Sequence, residues 1–164
     1  KANVLDQLER NDEALACYDE SIQLELTDFA LTRAGIQLNI LSRSAEALDY
    51  FDESLKIAPE NTLTIGNRAH SLRIVKNYEE ALACINELIK IEPDDVWNIT
   101  EKIKIYWDWE KYDEAIEIAE HALRQFPNDE EQILNLLITI CKKFGNTSKQ
   151  KEYEEKLQNL RDSQ

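Results

Sequence analysis

The residues of this chain that could do chemistry are two histidines, three cysteines, three glycines and several carboxylate runs, and their spacing supports no catalytic centre. His70 and His121 fall in helical segments of two different kinds, so they do not form a shared metal site. Cys17, Cys84 and Cys141 are odd in number and widely separated. Cys17 and Cys84 hold equivalent places in repeats two apart and should face alike on different layers, which is poor disulfide geometry and suits a reducing compartment. They read as buried thiols, and Cys141 has no histidine near it in sequence. With only Gly35, Gly66 and Gly145, there is no loop to cradle a phosphate. Asp113, Glu114, Glu117 and Glu120 read as one solvated helix face. Of Trp107 and Trp109, one is expected in a turn and one in a groove. The expectation is therefore no catalytic residues, no metal and no cofactor.

The elements that must carry these residues follow from a fixed period. Pro59, Pro93 and Pro127 lie 34 residues apart, and so do Ala47, Ala81 and Ala115. A period of this length indicates stacked helix pairs, each touching its neighbours. In residues 28–61, Leu31, Gly35 and Leu38 form an apolar stripe at helical spacing. This helix, of type A, ends near Ser42, Arg43 and Ser44. A second helix, of type B, runs from about Ala45 to Ala58 with Ala47, Leu48, Phe51 and Leu55 inward, and Pro59 stops it. Asn61 is placed to cap the next A helix. Ile65, Ala69 and Leu72 repeat the A stripe, then Ile99, Ile103 and Tyr106. Gly35, Ala69 and the alanines at 14, 47, 81 and 115 mark the close A–B crossings, where a larger side chain would overpack. The domain expectation is a single array over 1–164: a partial first repeat at 1–27, then 28–61, 62–95 and 96–129, with 130–164 a degenerate repeat whose polar final helix caps the stack.

These residues resemble the tetratricopeptide repeat: the 34-residue period, the small residue in mid helix A, Tyr78-Glu79-Glu80-Ala81 and Tyr112-Asp113-Glu114-Ala115 opening helix B, a large residue four further on at Tyr18 and Phe51, and the proline after B. The resemblance covers residues 1 to about 129. It implies an all-α, right-handed superhelical solenoid of antiparallel helix pairs with A helices lining the concave side. Two features depart from it. Ala14 to Ala47 is 33 residues, and Leu26 stands where proline is usual.

The formal charge is −14, which argues against nucleic acid and against anionic membranes. No apolar run approaches the roughly 20 residues of a membrane span. No secretory signal is evident, and a cytoplasmic location is expected. The chain opens at Lys1 inside a helical pattern and contains no methionine, so it reads as a fragment of a longer protein.

Function is expected on the A helices. Positions facing the groove are Phe29, Arg33, Ile36 and Ile40, then Leu63, Asn67, His70 and Ile74, then Trp97, Glu101, Lys104 and Asp108. Asn39, Arg73 and Trp107 flank them, and Asn3 and Gln7 continue the face into the first repeat. Each B segment is net negative, whereas residues 62–76 hold Arg68, Arg73 and Lys76 and no acid. A protein or peptide ligand with apolar anchors and acidic groups suits such a surface. The expected function is a noncatalytic protein–protein interaction scaffold. The alternatives are a module that self-associates into a homo-oligomer through its open N-terminal end, or the targeting domain of a longer enzyme. Some relatives in the resembled family clamp a chaperone's terminal carboxylate. Here Arg33, Leu63 and Asn67, or one pair later Ile36, Trp97 and Glu101, leave that clamp incomplete.

Overall fold

In a computed structural model of the chain, residues 10–163 are described. Among them are nine α-helices, one short 3-10 turn and no strand. The helices are α1 (Asn11–Leu24), α2 (Asp28–Ile40), α3 (Ser44–Ile57), α4 (Thr62–Ile74), α5 (Tyr78–Ile91), α6 (Val96–Asp108), α7 (Tyr112–Gln125), α8 (Glu130–Phe144) and α9 (Thr147–Asp162). Helices α2, α4 and α6 are the A type, and α3, α5 and α7 the B type.

Local chemistry repeats at the same period as the sequence. Each A helix opens on a side-chain cap: Thr27 accepts from the Ala30 N–H at 3.2 Å, Asn61 from Thr64 at 3.2 Å, and Asp95 from Trp97 at 2.8 Å. Each satisfies an amide that the helix itself leaves unpaired. Each A helix then ends in a left-handed residue, Ser42, Lys76 or Glu110, with φ of 60°, 65° and 62°. The next amide reaches back to an earlier carbonyl in every case: Arg43 to Leu38, Asn77 to Leu72 and Lys111 to Tyr106, at 2.8–2.9 Å. This is the six-to-one bond of a Schellman ending. Only Gly145, closing α8, supplies the glycine that this geometry favours. Helix B of the second repeat stops at Ile57, with Ala58 and Pro59 turning the chain toward the next A helix.

The chain divides into two compact units, Lys1–Leu88 and Ile89–Gln164. In the first, Ala14, Leu15 and Tyr18 of α1 pack with Ala34 and Leu38 of α2 and with Ala47 and Phe51 of α3. Gly35 faces the ring of Phe51, and a Cβ at residue 35 would lie 2.5 Å from its Cε1. Leu48 and Leu55, expected in the buried stripe of α3, are half-buried, and Ser54 completes the stripe in their place. Its hydroxyl belongs to a buried cluster. Thr32 lies 2.8 Å from Ser54 and 2.6 Å from Thr64, and Ser54 donates to the Asp28 carbonyl at 3.1 Å. A hydroxyl satisfied in this way can be buried without the desolvation penalty of an unpaired one.

In the second unit, Ile103 of α6 packs with Ala115, Ile116 and Ala119 of α7 and with Ile133, Leu134, Leu137 and Ile140 of α8. Helix α9 joins through Tyr153 and Leu157. The Tyr153 hydroxyl donates to Glu120 at 2.5 Å, and Lys149 pairs with the same carboxylate at 2.7 Å. Burial raises the Glu120 pKa, but these two hydrogen bonds outweigh it and hold the carboxyl below its usual range. The cysteines are free: Cys84 and Cys141 are buried, whereas Cys17 is half-buried.

Candidate functional site

Two cross-helix hydrogen bonds fix how α2 and α4 lie together. Thr32 meets Thr64 at 2.6 Å, and Ser71 donates to Asn39 Oδ1 at 2.9 Å. Both pairs are 32 residues apart in sequence, so the helices run parallel with residue n beside residue n+32. Ser71 also bonds its own helix at the Asn67 carbonyl, 3.0 Å away.

The outward face of this pair combines apolar and cationic side chains. Phe29 and Leu63 are 52 % and 50 % exposed near the N-terminal ends, and Ile40 and Ile74 are 53 % and 50 % exposed near the C-terminal ends. Arg33 lies between these levels with its guanidinium carbon 5.5 Å from the centre of the Phe29 ring, a cation–π arrangement. Ile36 is half-buried against the core of the first unit. Asn67 bonds the Leu63 carbonyl at 2.8 Å, and Arg73 Nη2 lies 3.3 Å from His70 Nδ1. Asp28 receives a hydrogen bond from Asn61 at 3.1 Å.

Arg68 turns away from this face. It pairs with Asp52 of α3 at 2.6 Å and donates to the Cys84 sulfur of α5 at 3.1 Å. Burial keeps the Cys84 thiol raised although Arg68 opposes the shift. Of the three cations in residues 62–76, then, one is committed to the B-helix side. Nothing near Arg68 in sequence signals this, because the acids it meets, Asp52 and Glu80, come from two other helices.

On α6, the equivalent of Phe29 and Leu63 is Trp97, 41 % exposed. Glu101 is only 5 % exposed and receives Lys104 Nζ at 2.6 Å. Trp107 is half-buried against the core of the second unit, while Trp109 lies in the turn with Lys111 Nζ 3.3 Å from its ring centre. Asp108 is exposed at the helix end. Asn3 and Gln7 lie outside the described residues, as does the N-terminal end on which self-association was expected. Two clefts of about 350 and 340 Å³ flank α7. One is lined by Glu120, Arg124, Tyr153 and Lys156 and the other by Ile89, Ile99, Lys102 and His121. Burial lowers the Lys102 pKa. Among the described residues no group of three or more His, Cys, Asp and Glu side chains could hold a metal ion, and no helix is long and apolar enough to cross a membrane.

The tetratricopeptide repeat family model matches residues 1–28, 64–95 and 104–129, more than half of the chain. The chain belongs to the tetratricopeptide repeat family. Its fold is the all-α helical solenoid of tetratricopeptide repeat proteins, as solved structures show. MamA from Desulfovibrio magneticus RS-1, residues 41 to the end, superposes with a TM-score of 0.84 at 21 % identity, covering 99 % of this chain and 92 % of that one. A tetratricopeptide repeat protein from Parabacteroides merdae ATCC 43184 gives 0.85 at 16 % identity, covering 96 % and 62 %. YrrB, described as a TPR protein with an unusual peptide-binding site, gives 0.74 at 20 % identity, covering 97 % and 82 %. At these identities the likeness is one of fold. No curated protein matches the sequence. Tetratricopeptide repeats are in general noncatalytic interaction scaffolds, which makes proteins the partner class of this chain.

Proposed function

We propose that this tetratricopeptide repeat chain is a noncatalytic scaffold that binds a peptide or helix along its A-helix face, within one array of repeats at 1–27, 28–61, 62–95 and 96–129 closed by 130–164. The observation that carries the reading is the repeated exposure of large apolar side chains on that face, Phe29, Ile40, Leu63 and Ile74, beside Arg33. Half-exposed anchors of this kind gain most when a partner covers them. Trp97, Lys104 and Trp107 extend the same reading to α6, and Asn3 would extend it toward the N-terminus. YrrB's peptide-binding site lends the reading support by analogy of fold. The three free cysteines fit a reducing, cytoplasmic setting.

The test is selection of ligands from a displayed peptide library, followed by titration against the wild type and against Leu63→Asp and Ile74→Asp. Both positions are half-exposed, so the variants keep their helices. Selected peptides should lose at least tenfold in affinity for either variant. Equal affinity for all three proteins would place the ligand elsewhere and end the A-helix assignment.

A further inference from the structure

The fourth repeat leaves open a corner that the third one closes. In the third, Arg68 of α4 spreads its guanidinium between Asp52 of α3 and the Cys84 sulfur of α5, at 2.6 and 3.1 Å, with Glu80 at 3.5 Å. Ile65, one turn before it, is 2 % exposed. The repeat period puts Lys102 in the place of Arg68, Ile118 in that of Cys84 and Ile99 in that of Ile65. An ammonium is a compact point charge without the planar fork of a guanidinium, and an isoleucine side chain accepts no hydrogen bond. The corner beside α7 is accordingly a cleft of about 340 Å³, with Ile89, Ile99 and Ile118 half-buried on its walls. Lys102 lines the same cleft, and burial lowers its pKa. Glu117, in the place of Ala83, lines it too, exposed and in no ion pair among the described residues. His121 stands in the place of Glu87, so Glu117 is the one acid of the lining among the described residues.

We propose that this cleft binds a free apolar α-amino acid, its carboxylate on Lys102, its ammonium on Glu117 and its side chain against Ile89, Ile99 and Ile118. The proposal is independent of the peptide-binding reading and uses none of its residues. An apolar cleft of this size with a few polar groups is the usual form of a small-molecule site. Charge then selects among apolar ligands. The chain carries −14, which disfavours a simple anion. A half-buried lysine in the wall disfavours a simple cation, because like charges repel most where water is excluded. A zwitterion is neutral overall and meets both groups with its opposite poles. One small molecule reaches both, since they line the same cleft. An ammonium has three N–H donors, so Lys102 can donate to a ligand carboxylate beside the interaction it already has. A branched aliphatic side chain such as leucine's covers the isoleucine walls without burying an unpaired polar group.

The test titrates the full chain with L-leucine and follows isotope-labelled isoleucine methyl signals by NMR, which report affinity and location together. Ile89→Val, Ile99→Val and Ile118→Val assign the three cleft signals, and saturable shifts of these three are expected. Isocaproate, which lacks the amine, and isoamylamine, which lacks the carboxylate, should bind at least tenfold more weakly than leucine. L-Serine, with both charges and no apolar body, should not saturate. Lys102→Met should weaken leucine at least tenfold and leave isoamylamine no weaker. Glu117→Gln should weaken leucine at least tenfold and leave isocaproate no weaker. Far-UV circular dichroism should be unchanged in both variants, because Glu117 is exposed and Lys102 only half-buried. Equal affinity for leucine, isocaproate and isoamylamine would overturn the amino acid in favour of a cleft that takes any apolar group. Leucine binding that neither variant weakens would overturn the assignment of its charges. No saturable shift at about 10 mM leucine, or shifts confined to other isoleucines, would overturn the site itself.

Discussion

Replacing Gly35 with alanine isolates the packing that sets the distance between α2 and α3. The added Cβ would lie 2.5, 2.8 and 2.9 Å from Cε1, Cζ and Cδ1 of Phe51, about 1 Å inside ordinary carbon contact. Phe51 is fully buried among Ala14, Ala34, Ala47 and Leu38, so its ring has no open space to enter. Overpacking of this kind costs about 1–3 kcal/mol. The same substitution gains about 1 kcal/mol of helix propensity, because Gly35 lies in the interior of α2. The expected balance is a destabilisation of up to about 2 kcal/mol, a fall of up to roughly 1 M in the urea midpoint. Far-UV circular dichroism follows the whole chain, whereas the three tryptophans, all within residues 97–109, report only on the second unit. In a Phe51→Leu background the clash is relieved and only the propensity gain remains, so Gly35→Ala should turn neutral or stabilising. The two changes should couple by about 2 kcal/mol. A Gly35→Ala effect that is stabilising in the wild type, or identical in both backgrounds, would refute the packing argument.

Two further outcomes follow from local geometry and charge. Lys76 and Glu110 hold left-handed φ without glycine's freedom, so Lys76→Gly or Glu110→Gly should each stabilise by about 1 kcal/mol, whereas Gly145→Ala should cost a similar amount, all read by urea denaturation. The Glu120 carboxyl is held below its usual range in the folded state, so its contribution is present above the ordinary glutamate pKa and is lost as pH falls through the lower folded value. Glu120→Gln should therefore flatten the acid limb of stability against pH, with protease release of α9 as the readout. A limb as steep in the variant would show that the Lys149 and Tyr153 contacts do not anchor that helix.

The sequence alone determined the period, the helix pairs, the B-helix ends and the capping residue Asn61, because each of these is decided by side chains and backbone within a few residues of one another. Pro59 and Pro93 stop helices wherever they stand, and an apolar stripe at 3.6-residue spacing needs no partner to be recognised. The αL endings at Ser42, Lys76 and Glu110 escaped it, since the usual signal is glycine and none of the three is one. Tertiary structure decided which neighbour on a stripe is buried. Ser54 rather than Leu55 turns inward because Thr32 and Thr64, from two other helices, satisfy its hydroxyl. It also decided where the charges point. Arg68 is drawn to Asp52 and Cys84 across the helix pair, and Glu101 is buried beneath Lys104, whereas Arg33 remains on the outer face over Phe29. A long cation reaches whichever partner is nearest in space, and that distance exists only after the helices have packed.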